Sequence, residues 1–123
     1  MPRISPTVLR IAFWAAAALS VFMAELPQPP PVLGETGDKL QHMLAFGTMA
    51  ALAAPAYPRV SLALILIGLS AFGGAIELFQ MIPAISRDAS WGDWAADTFA
   101  IAAVLFLVHR LRSKRQEEAP EQA

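Results

Sequence analysis

GGAIELFQMIPAISRDASWGDWAAD, residues 73–97, joins the end of one long apolar run to the start of another. Glu77, Gln80, Arg87, Asp88, Asp93 and Asp97 all stand within it. A charge inside a membrane-grade segment costs about 2.5–3.5 kcal/mol on insertion scales, so such residues are expected to face protein rather than lipid and to serve a purpose there. Read as a polar join between two membrane spans, this stretch decides the fold.

The composition agrees. The chain of 123 residues is 56% hydrophobic and 15% charged, whereas a soluble domain carries roughly 25% charged residues. With no cysteine there is no disulfide framework and no thiolate metal site. No Lys/Arg-rich run is interleaved with aromatics, so nucleic acid is not an expected partner.

Ahead of the join, Val60 to Met81 is the longest apolar run. Gly68, Ser70, Gly73 and Gly74 give it a small-residue face, with Ser70 and Gly74 spaced for close helix contact. Pro83 is expected to end it. Behind the join, Ser90-x-x-Asp93 reads as a variant capping box opening a fourth segment that runs to Leu111. Trp91 and Trp94 fall where an interfacial aromatic belt would lie, and Trp14, inside the first span, is the exception.

Two further segments lie upstream. Val8 to Ala24 is apolar apart from Arg10 and Ser20. Its basic lead resembles that of a signal peptide, but Phe22 is too large for the position three before a cut after Ala24, so a retained span is expected. Asp38 to Ala54, with Asp38 as N-cap and Pro55 as stop, is about 17 residues, the lower limit for crossing ~30 Å of hydrocarbon. Between these two, Pro27 and Pro29 to Pro31 enforce an extended connector.

The expected fold is therefore all-α: an integral membrane, antiparallel four-helix bundle with helices at about residues 8–24, 38–54, 60–81 and 91–111. Residues 112–123 are expected to form a disordered cytoplasmic tail. Arg3, Arg10, Arg59, Arg110, Arg112, Lys114 and Arg115 fall on one side of this arrangement, and only Lys39 and Arg87 on the other. The positive-inside rule then makes both termini cytoplasmic.

That topology gathers residues far apart in sequence. Asp38 would begin the second helix at the outer surface, with His42 one turn deeper; Asp93 and Asp97 repeat the pattern on the fourth. Glu77 lies about one turn before the outer end of the third, with Gln80 nearer the surface. His42, Glu77 and Asp97 should thus share a depth just inside the outer boundary. Asp38 and Asp93, at helix N-termini, are favoured by the macrodipole; Glu77, near a C-terminus, needs a cation. Arg87 is the first choice, through a bidentate fork, and Lys39 the second. His42, Glu77 and Asp97 do not have a recognised metal-ligand spacing, so no metal or cofactor is assigned. His109, beside the basic tail, is expected to be interfacial and idle.

DKLQHMLAF, residues 38–46, followed by ELFQMIPAISRDASWGDWAAD, residues 77–97, resembles the VanZ-like family of small bacterial membrane proteins. Asp38, Lys39, His42, Glu77, Gln80, Pro83, Arg87 and Asp93 match the family pattern, while Asp97 stands where Asn is usual and Ala100 where Gly is usual. The resemblance covers about Asp38 to Val104. It implies a multi-pass protein of the bacterial plasma (inner) membrane, acting in the cell envelope, with a link to glycopeptide sensitivity. The family has no settled biochemical activity.

Three functions remain open. The first is an accessory or binding protein whose outer-face residues Asp38, Lys39, His42, Glu77, Gln80, Arg87, Asp93 and Asp97 hold an anionic head group of a membrane lipid or lipid-linked envelope precursor. The second is a structural bundle in which these residues lock the helices together. The third is an enzyme using His42, Glu77 or Asp97 as general acid and base on such a lipid. No nucleophile elbow, zinc motif or phosphate loop favours the third, and the bundle is too small for the inverted repeats of a transporter. The first is the expectation carried forward.

Overall fold

The computed structural model describes residues 3–25, 34–82 and 91–118, with side chains for residues 3–23, 40–82 and 91–118. Four helices follow one another: α1 (Pro6–Glu25), α2 (Gly34–Ala56), α3 (Leu62–Gln80) and α4 (Trp91–Glu118). Among the described residues there is no strand. Helices are the local solution when apolar runs must satisfy their own backbone without water.

Local chemistry sets the helix ends. Ser5 precedes α1 and its Oγ accepts from the backbone N–H of Thr7 at 3.2 Å. Pro6 fits the first helical position because its missing N–H would have no partner there. Ser61 caps α3 in the same manner, accepting from the N–H of Leu64 at 3.1 Å. The two serines explain why these helices start at residues 6 and 62 rather than 8 and 60.

Two expectations about α2 are corrected. The helix starts at Gly34, so Asp38 lies within it rather than capping it. Pro55 does not stop it but sits in its last turn. A proline there forfeits only its own bond to the carbonyl of Ala51, because the helix ends one residue later. The exposed C-terminal carbonyls are then capped from a distance. Arg10 donates through Nε to the Ala56 carbonyl at 2.9 Å, and Arg112 through Nη2 to the Ala54 carbonyl at 3.0 Å. Cations are also favoured at that end of the helix dipole. Arg112 belongs to α4, which continues to Glu118; the tail expected to be disordered from residue 112 is helical up to that point, and residues 119–123 lie outside the described residues.

Among the described residues, three helices are long and apolar enough to cross a membrane: Pro6–Met23, Leu62–Gln80 and Trp91–Glu118. The fourth expected span, α2, is not one of them. Lys39, Gln41 and His42 dilute its first half, yet it carries the densest part of the core: Met49, Ala50 and Ala54 are fully buried and Phe46 is 2% exposed. The outer faces of α1, α3 and α4 show the reverse, exposing Ile11, Leu19, Phe22, Leu64, Ile67, Phe99 and Phe106. So large an apolar surface marks contact with lipid or protein rather than water.

Interhelical contacts fix the directions pairwise. Arg10 and Phe13, early in α1, meet Ala56 and Tyr57 at the far end of α2, so these two run oppositely. Phe46 of α2 packs on Phe72 and Gly73 of α3, and Met49, Ala53, Ile65 and Leu69 line one groove. Ser70 meets Thr98 and Gly74 meets Trp94, so α3 and α4 are also opposed. By contrast, Gly47 lies against Val104 and Ala54 against Arg112, so α2 and α4 run in the same direction.

Candidate functional site

Each of three helices presents a buried apolar stripe, and each stripe turns polar towards the same end of the molecule. On α2, Ala53, Met49 and Phe46 are followed by His42. On α3, Ile65, Leu69, Gly73 and Ile76 are followed by Glu77 and Gln80. On α4, Leu105 and Ile101 give way to Asp97 and then Asp93. The spacings of three, four and seven residues keep every member on one helix face. Glu77 and Asp97 are 3% exposed and Gln80 2%, while His42 and Asp93 are half-buried. Burial this deep requires hydrogen-bonded or charged company, and all five residues do engage a neighbouring group.

A common depth for the three does not follow from the helix ends: His42 is eight residues from the start of α2 and Asp97 six from the start of α4, whereas Glu77 is three from the end of α3. His42 and Glu77 each lie one turn beyond the Phe46–Gly73 contact, while the Ser70–Thr98 contact sets Asp97 nearer the level of Ser70 than that of Glu77. Among the described residues, no three His, Asp or Glu side chains converge as ligands for a metal ion.

The expected pairing of Glu77 with Arg87 falls outside the described residues, as do Arg87, Asp88, Pro83 and Ser90 themselves and the side chains of Asp38 and Lys39. The described part of the cluster is rich in acceptors: three carboxylates and an amide oxygen beside one imidazole. Such a set orients donors and cations. It holds an anion only with the guanidinium of Arg87 or the ammonium of Lys39 added. His109 is exposed, away from the cluster.

A second polar arrangement, at Ser70, supports the same α3–α4 junction. The indole N–H of Trp94 donates to the Ser70 carbonyl at 2.9 Å, and Ser70 Oγ lies 2.9 Å from Thr98 Oγ1. Trp94 is half-buried and stacks edge-on with exposed Trp91. Trp94 is thus an interhelical clamp as well as a residue near a helix end, which the aromatic-belt expectation missed. The signal was present: Ser70 and Gly74 form a notch on one helix, and Trp94 and Thr98, also four apart, form the matching ridge on the other. Trp14, for its part, donates to the Tyr57 hydroxyl at 2.8 Å.

Comparison with protein-family models gives no match, and neither the curated proteins nor the solved structures yield a similar chain.

Proposed function

We propose that this chain is a VanZ-like multi-pass protein of the bacterial plasma membrane, whose four helices form an antiparallel bundle with both termini cytoplasmic. In this reading it is an accessory protein of the cell envelope, and its outer-face polar pocket holds the anionic head group of a lipid or lipid-linked precursor. The observation that carries the proposal is the burial of Glu77, Gln80 and Asp97 where the apolar stripes of α3 and α4 turn polar towards one end of the molecule. Polar burial of that density, in a chain otherwise clad in exposed apolar side chains, is expensive without a purpose. Lys39, His42 and Arg87 supply the donors, and Asp38, Glu77 and Asp93 orient them. Because acids outnumber bases at this end, recognition is short-range rather than by a long-range field.

The basic residues support the orientation. Arg10 and Arg112 cap α2 at the end opposite the polar cluster, and Arg3, Arg59, Arg110, Lys114 and Arg115 belong to that end as well. Cysteines introduced at Gln28 and Ser113 are expected to react oppositely with an impermeant maleimide on intact cells, Gln28 labelled and Ser113 protected. The reverse pattern inverts the topology.

The pocket is tested by native mass spectrometry of purified protein loaded with a polyprenyl phosphate. Wild type is expected to retain it, and Arg87→Lys and His42→Ala to lose it, because Lys cannot reproduce a bidentate grip on phosphate. Equal retention by all three folded proteins would establish the second reading, a structural lock. That reading has its own support, since His42, Glu77, Gln80, Asp93 and Asp97 already engage groups of the protein.

A further inference from the structure

At the end of the molecule opposite the polar cluster, two cavities adjoin. One is an apolar groove of about 380 Å³ between α1 and α3, floored by α2; Trp14, Ala17, Met49, Ala53, Gly68 and Phe72 line it. It exists because α1 and α3 both pack on α2, while Ala17, Ala53 and Gly68 leave the space between them unfilled. The second, of about 310 Å³, is bounded by Arg10, Tyr57, Pro58, Arg59 and Val60. Tyr57 and Val60 line both.

We propose that these two cavities form one binding site for an anionic glycerophospholipid, with an acyl chain in the α1–α3 groove and the phosphate on Arg10 and Arg59. The groove follows α3 from Ile65 to Phe72, about 10 Å at helical rise, and reaches Val60 just before that helix, a depth within one leaflet of a hydrocarbon core ~30 Å thick. Its walls belong to two of the helices apolar enough to span a bilayer. At its mouth, Arg10 is already oriented: its Nε–H is held by the Ala56 carbonyl and its guanidinium carbon lies 4.9 Å from the centre of the Tyr57 ring. That geometry leaves the terminal fork as the phosphate-gripping part. The Tyr57 hydroxyl accepts from Trp14, so its own O–H is a donor for the same head group. Arg59 is exposed beside them. A bare apolar groove would take any acyl chain; the two arginines at its mouth select a lipid with net negative charge.

The inference rests on the reading that α1 and α3 lie in a bilayer, but not on the outer pocket. The full-length protein, purified in detergent, is mixed with equal amounts of phosphatidylglycerol and phosphatidylcholine carrying the same chains, and retained lipid is read by native mass spectrometry. Wild type is expected to favour phosphatidylglycerol about fivefold, and Arg59→Gln to abolish most of that preference while still retaining phosphatidylcholine. Gly68→Leu is expected to lower retention of both lipids. It should fold normally, because a Cβ at Gly68 meets nothing within 4 Å. Excess inorganic phosphate should not displace the lipid, and Lys114→Gln, at a basic residue that lines neither cavity, should leave the preference intact. Equal retention of both lipids by wild type, or a preference that survives Arg59→Gln, or retention unchanged in Gly68→Leu, would overturn the site. Recovery of the protein from cells without detergent would instead overturn the bilayer reading beneath it.

Discussion

Glu77→Ala is expected to lower the unfolding free energy by about 3–5 kcal/mol, the cost of stranding the group that a buried charge had compensated. Glu77 is 3% exposed and engages a neighbour, so its removal leaves a hole and a bereft partner in the same place. It also stands one turn before the C-terminal end of α3, where the helix dipole opposes an anion, which makes a cationic partner the economical arrangement. Arg87 is the candidate. If the two pair, Arg87→Ala should be costly alone, and the double variant should cost less than the sum of the singles. Unfolding in detergent across the full cycle measures this, and strict additivity would assign Glu77 to another partner.

Gly73→Val should be nearly as damaging, at the upper end of the roughly 1–3 kcal/mol typical of overpacking. A Cβ at Gly73 already sits 3.3 Å from Phe46 Cζ and 3.6 Å from Trp94 Cδ1. The two further methyls of valine meet aromatic rings on two sides, from α2 and from α4. Gly68→Val is the internal control: it carries the same β-branched penalty in a helix but opens onto empty space. Thermal unfolding of the two variants side by side should show a large loss for the first and little for the second. Equal losses would mean that the junction of α2, α3 and α4 is looser than its contacts indicate.

The helices were legible because their apolar runs are long and uninterrupted, and a membrane-like chain offers few alternatives to helix. Their ends were less so. Glu35 and Asp38 sit where an N-terminal helix dipole welcomes acids, but the prolines just before them drew attention to an extended connector instead. Arg10 and Arg112 read as counters in a charge-asymmetry rule, because nothing local reveals that each reaches a carbonyl of α2, 46 and 58 residues away along the chain. Within the candidate site, Glu77, Gln80 and Asp97 were legible as polar groups at positions that helical spacing assigns to a buried face. A common level for them rests on helix ends that the structure moves; Phe46 seated on Gly73, a contact between residues with no shared motif, relates His42 to Glu77 but not to Asp97. The apolar groove was invisible for a related reason: it is a space left by small residues on three helices, and only packing discloses it.

The helix that holds the core together is also the one least able to enter lipid by itself, and this bears on how the protein is made. Lys39, Gln41 and His42 weigh against partitioning of α2 as it leaves the ribosome, while the contacts that would offset them lie partly on α4, which emerges last. On the proposed four-span reading insertion is a joint event, with α1 or α3 escorting α2 and the Gly47–Val104 and Ala54–Arg112 contacts sealing it afterwards. A chain interrupted before α4 would leave its central helix half-committed to the bilayer, a natural substrate for membrane quality control.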